Sequence, residues 1–159
     1  MILNLQIKSL RLCVFAVTFL VSSSTLFSQD LPKGAIQIRA DDIVWTDAPP
    51  SLPPGAKISV LEGNPMLEGI FTMRVKFPPY YRLETHTHPK DERVTVLEGA
   101  VYVGFGSALD TANAQKFTEG SYYLNPMNEA HYVFTGEEGV VFQVTGLGPW
   151  GLNYTEVKK

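Results

Sequence analysis

Cysteine is almost missing from this chain of 159 residues: Cys13 is the only one, and it lies inside an N-terminal apolar run. A disulfide framework is therefore unavailable, and the domain must stand on its core and on any bound metal. Basic clusters are missing as well. Lys and Arg number 13 against 16 Asp and Glu, a net charge of -3, and no Lys/Arg stripe appears. That excludes the footprint of a nucleic-acid binder. There is no glycine-rich phosphate loop and no internal repeat. Histidine occurs only three times, at His86, His88 and His131.

A bilayer span needs roughly 20 apolar residues, and the N-terminal run, Leu12 to Val21, has ten. Lys8 and Arg11 precede it, and Ser22, Ser23, Ser24, Thr25 and Ser28 follow. Basic, then apolar, then small and polar is the order of a secretory signal, expected over residues 1–28. Cys13 does not follow a small-residue lipobox, so lipidation is not expected. The expected product begins near Gln29, keeps no membrane anchor after cleavage, and is exported to the periplasm or the extracellular space. Its loss of two basic and no acidic residues shifts the net charge to -5.

The remaining 130 or so residues suffice for one domain with a proper interior. Residues 29–56 read as an extended Pro-rich arm: IQIRA and DDIVW are short periodic pieces, and APPSLPPG resists regular structure. The domain proper is expected over 57–155. Lys57 to Leu61 alternates, and Phe71, Met73, Val75 and Phe77 alternate with Thr72, Arg74 and Lys76, which is the period of a half-buried strand. Further short strands are expected at Arg93–Leu97, Val101–Phe105, Ser121–Leu124, His131–Phe134 and Val140–Thr145. Ser107–Lys116 is the one helix-like piece. Short strands punctuated by Gly, Pro and Asn mean an all-β sandwich, jelly roll or small barrel.

His86 and His88 stand two apart, so on a strand both rings project from one face. Glu92 shares that parity, and His131 supplies a fourth group from a later strand. A lone histidine is usually a satisfied core or surface residue. Two on one face, with a glutamate four residues on, favour a metal. Arg82 and Glu84, also even, face the same cavity or its rim. Gln143 interrupts an apolar strand, VVFQVT, and contacts either a ligand or a neighbouring strand. Of the aromatic residues, Tyr102 and its neighbours belong to the core, a dimer surface or the cavity. Trp150 either caps the barrel mouth or packs on the arm. With the histidines committed to metal, a Ser-His-Asp set is excluded.

The string His86-x-His88-x3-Glu92-x6-Gly99 resembles the first motif of the cupin superfamily, and Gly120-x5-Pro126-x-Asn128-x2-His131 resembles the second. Three positions depart from the pattern: Tyr80 and Asn128 stand where glycines are expected, and Thr135 where an asparagine is. The resemblance implies a cupin-type jelly-roll β-barrel (a double-stranded β-helix) with the N-terminal arm added. It implies one divalent metal held inside by His86, His88, Glu92 and His131. Donors of this kind suit Fe, Mn, Ni, Zn or Cu, and four of them on an octahedral ion leave two positions open. The expected function is a metal-dependent enzyme of dioxygenase or isomerase type, acting on a small organic substrate. The alternative is a non-catalytic module that binds or senses a small ligand. Cupins in anti-sigma regulators carry a helical partner segment that is not seen here. Cupins also commonly pair, so a homodimer is expected.

Overall fold

A computed structural model describes residues 30–155, so the expected signal segment lies outside the described residues. The chain divides after Ala35. Residues 30–35 contain a turn closed by the Ala35 N–H on the Pro32 carbonyl. The second unit, from Ile36, holds nine strands and a 3-10 turn at Ala40–Asp42. These are β1 (Thr46–Asp47), β2 (Lys57–Glu62), β3 (Gly69–Phe77), β4 (Arg82–Thr87), β5 (Glu92–Phe105), β6 (Gln115–Thr118), β7 (Tyr122–Asn125), β8 (His131–Gly148) and β9 (Asn153–Tyr154). All pairings are antiparallel, and no α-helix occurs among the described residues. None of their helices is long and apolar enough to cross a membrane.

Two long strands organise the sheet. β5 and β8 pair along nearly their whole length, from Arg93 opposite Thr145 to Phe105 opposite His131. The later half of β8 also pairs with β3, and its first half with β4. β5 likewise takes β7 beside its first half and β6 beside its second. Each long strand thus serves both leaves of one curled sheet, which is the jelly-roll arrangement.

The sequence pattern anticipates one strand on each side of Gly99, joined there by a hairpin, and one on each side of Gly139. The structure has one strand in each place. Gly99 and Gly139 take φ near 70° and sit at a bulge, where the register shifts between Gly99 and Val101. A Cβ on Gly99 would collide with the Gly139 carbonyl. These two glycines bend the ladder without ending it, as bulges do. The expected helix over Ser107–Lys116 is absent as well: its end belongs to β6, and the rest is turns.

The period-two reading of β3 holds. Phe71, Met73, Val75 and Phe77 are all buried and meet Val94, Val96, Val133, Phe142 and Val144 in one core. Each fully buried side chain of this size contributes roughly 1.5–3 kcal/mol of transfer free energy.

The three departures from the cupin motifs keep the backbone that the motifs require. Tyr80 and Asn128, in place of glycines, adopt φ of 57° and 62°. Thr135 works through its hydroxyl, which donates to the Pro78 carbonyl (2.7 Å) and accepts from the Tyr81 N–H (2.8 Å). It thereby pins β8 to the turn before β4.

Candidate metal centre

His86, His88 and His131 converge, with one ligand atom from each lying within 4.8 Å of the others. All three are at most 2 % exposed. His86 on β4 sits directly opposite His131 on β8. His88 follows β4 and is tied to the second motif, because the Asn128 N–H donates to its carbonyl (2.8 Å).

Each ring is oriented the same way. Nδ1 of His86 lies 2.7 Å from the Glu84 carbonyl, that of His88 2.7 Å from Gly151, and that of His131 3.0 Å from Glu129. A carbonyl oxygen only accepts, so Nδ1 carries the hydrogen and each neutral ring offers its lone pair at Nε2. Glu92 stands across from two of these nitrogens: its Oε2 is 3.5 Å from Nε2 of His88 and 3.6 Å from Nε2 of His131. Both nitrogens are buried without a hydrogen-bond partner. Buried polar atoms are rarely left so. Three imidazole lone pairs beside one carboxylate fit a divalent transition metal, and the residues that would hold it are His86, His88, Glu92 and His131.

The electrostatics distinguish two of these rings. Burial, helped by the nearby His131, pushes His86 down to about 3, so this ring stays neutral. His88 behaves otherwise: burial opposes its charge, but the Glu92 carboxylate outweighs burial and holds it above the usual imidazole value. Burial would raise Glu92, yet His88 and His131 keep it well below the usual carboxylate range. As pH falls, His88 is therefore protonated before His86, and starts above the ordinary value of about 6.5. Metal affinity should fall by up to about tenfold per pH unit once His88 begins to titrate. Competition titrations at a series of pH values between neutrality and mild acid check this. A flat affinity across that range would contradict it.

Asn125 carries no motif signal, yet it is fully buried and its Nδ2 donates to Glu92 Oε2 at 2.8 Å. Its one trace in the sequence is parity, since Tyr123 and Asn125 on β7 are buried where Tyr122 and Leu124 are not. Removing a group that orients a ligand typically costs 10–100-fold in metal affinity. Asn125→Ala should weaken binding by about that factor, measured against a competing chelator. An unchanged affinity would mean that Glu92 is held by other means.

His86, His88 and Glu92 form one wall of a cavity of about 150 Å³, whose other walls are largely apolar. Pro49, Ser51 and Leu52 of the Pro-rich arm lie over it. The Tyr81 hydroxyl donates to the Pro53 carbonyl (2.8 Å) and the Tyr154 hydroxyl to that of Ser51 (2.9 Å), which fastens this strap. Trp150 also lines the cavity, stacked on His88 with ring centroids 4.3 Å apart and tilted against Phe71 at 5.5 Å. It thus covers the His88 ring directly.

The other expected pocket residues lie elsewhere. Arg82 is exposed, in an ion pair with Glu84 at 3.8 Å. The register shift between Leu83 and His86 reverses the alternation, so Leu83 takes the inward place expected of Arg82 and Glu84. Gln143 falls between Phe142 and Val144, both of which line the cavity, and so occupies the other face of β8, paired with Arg74 and Thr95. Tyr102 stacks on Phe134 at 4.8 Å, with the Lys116 ammonium 5.7 Å from its ring, and it borders a separate surface depression.

The family model of the ChrR cupin-like domain matches residues 33–150. A germin-like protein of Arabidopsis thaliana, subfamily 1 member 17, is 34 % identical over 68 residues, which is 40 % of this chain. The chain spans 31 % of the length of that relative. Among solved structures, the polyketide cyclase RemF from Streptomyces resistomycificus superposes with a TM-score of 0.62 at 16 % identity, covering 77 % of this chain and 87 % of RemF. A sugar phosphate isomerase of the cupin superfamily from Silicibacter pomeroyi gives 0.55 at 19 % identity, covering 76 % and 82 %. These likenesses show the cupin fold.

Proposed function

The chain belongs to the ChrR cupin-like domain family, and on that premise we propose that it is a metal-dependent enzyme of dioxygenase or isomerase type. Its substrate is a small organic molecule, and His86, His88, Glu92 and His131 hold one divalent transition metal. The observation that carries this reading is the pair of buried, unpartnered Nε2 atoms of His88 and His131 beside the Glu92 carboxylate. Two cupin-fold neighbours described as a cyclase and an isomerase support a catalytic use of such a barrel, by analogy of fold alone.

When bound, the metal supplies Lewis-acid polarisation of a substrate oxygen. The chain's own residues do the rest. Backbone carbonyls fix the three rings through their Nδ1–H groups. Asn125 fixes the carboxylate. Trp150 and the apolar walls exclude water, which strengthens every charge interaction inside. Tyr123, whose phenol burial raises well above its usual value, stays protonated beside Glu92.

Turnover of a panel of small alcohols, phenols and ketones by metal-loaded protein tests this reading. Rates that rise in proportion to metal content are expected. Saturable ligand binding without any turnover would instead identify a binding module.

A further inference from the structure

We propose that the ligand of this cavity is a compact, mostly apolar molecule with a single oxygen-bearing head, and that molecules with a second anionic group are rejected. This rests on the metal reading above. Three observations carry it beyond that reading.

Size comes first. At about 150 Å³ the cavity matches one that holds benzene, and falls below the 300 Å³ or more of sites for larger ligands. A single small ring fits within it, whereas a sugar phosphate or a fused bicycle would have to extend beyond it.

Charge is the second. Among the described residues no Lys or Arg lines the cavity. Carboxylates and phosphates are ordinarily met by such side chains or by clustered backbone N–H groups. One divalent ion against the Glu92 carboxylate leaves one positive charge, enough to receive one oxygen head. A second anion would face Leu52, Val75, Phe77, Phe142 and Val144, where nothing compensates its lost hydration.

Polarity is the third. Among the described residues that line the cavity, only Ser51, Tyr123 and Trp150 carry a side-chain O–H or N–H besides the metal ligands. The charged and metal-binding groups thus belong to the histidine wall, and the rest of the lining suits the apolar body of the ligand.

The test uses the full chain loaded with zinc, with metal content measured in every sample and binding followed by calorimetry. Phenol is the probe, succinate is a dianion of similar size, and 1-naphthol is a larger neutral ring. Phenol should bind at least tenfold more tightly than either. Succinate binding as tightly as phenol would overturn the charge argument, naphthol binding as tightly would overturn the size argument, and no phenol binding would overturn both. Protein that takes up no zinc would instead sink the metal reading, and this inference with it. Leu52→Trp fills the cavity from the strap and should lower phenol affinity at least tenfold while zinc content is unchanged. Ile58 of β2 also lines the cavity, and Ile58→Phe serves the same purpose where Leu52→Trp does not fold. Undiminished phenol binding in either folded variant would place the ligand outside this cavity and refute the proposal.

Discussion

A divalent transition metal supplied at a thousandfold excess over its Kd should stabilise the folded chain by about 4 kcal/mol. For a domain of this length that is a rise in Tm on the order of 10 °C. The unfolded chain has no preformed site, so the gain belongs to the folded state. In His88→Ala the rise should vanish, because a neutral nitrogen donor is lost and Nε2 of His131 and the Glu92 carboxylate lose a neighbour. Glu92→Gln keeps the shape, and the Asn125 side chain can still be met, but the negative charge is gone. It should weaken the metal-induced rise by less than the histidine change. Calorimetric scans of the three proteins with and without metal decide this. Equal metal-induced rises in wild type and His88→Ala would contradict it.

The second large effect lies in the core. Phe71 is fully buried, packs against Trp150 and lies in the cluster that backs the cavity. Phe71→Ala should cost about 3–5 kcal/mol, since a cavity remains where the ring was. Trp150, stacked on His88, loses its contact with the Phe71 ring. Urea unfolding measures the loss directly, and a change below about 1 kcal/mol would mean that the site collapses around the missing ring.

How much of this was legible in the sequence depends on the kind of signal. Strand β3 was legible because one face is buried along its whole length, and period two then appears undisturbed. The histidine cluster was legible because its members are the only histidines and two of them stand two apart, at the end of β4. Bulges were not legible. Nothing in the string RLETHT marks the register shift between Leu83 and His86, so Arg82 and Glu84 carry the parity of His86 and yet point away from it. The same limit joins what look like separate strands: Gly99 and Gly139 read as turn glycines, but a left-handed residue inside a ladder makes a bend. Asn125 was hidden for a different reason. Its part depends on Glu92, 33 positions earlier, and on a cross-strand register that places the two opposite each other.

The motif departures teach the converse. A tyrosine and an asparagine in glycine positions leave the left-handed backbone in place, with strain of order 1–3 kcal/mol for such a residue. The surrounding hydrogen bonds hold it there: the Tyr80 N–H donates to the Gly136 carbonyl at 2.9 Å, and the Asn128 N–H to that of His88 at 2.8 Å. The second of these ties a motif position to a ring that the metal would need.

The measurement that bears most directly on the whole account is metal content per chain in wild type and His88→Ala, purified side by side under identical conditions. The account predicts close to one metal per wild-type chain and a sharp loss in the variant, because affinity is built from deprotonated ligands that the fold brings together. Equal, substoichiometric metal in both proteins would contradict it.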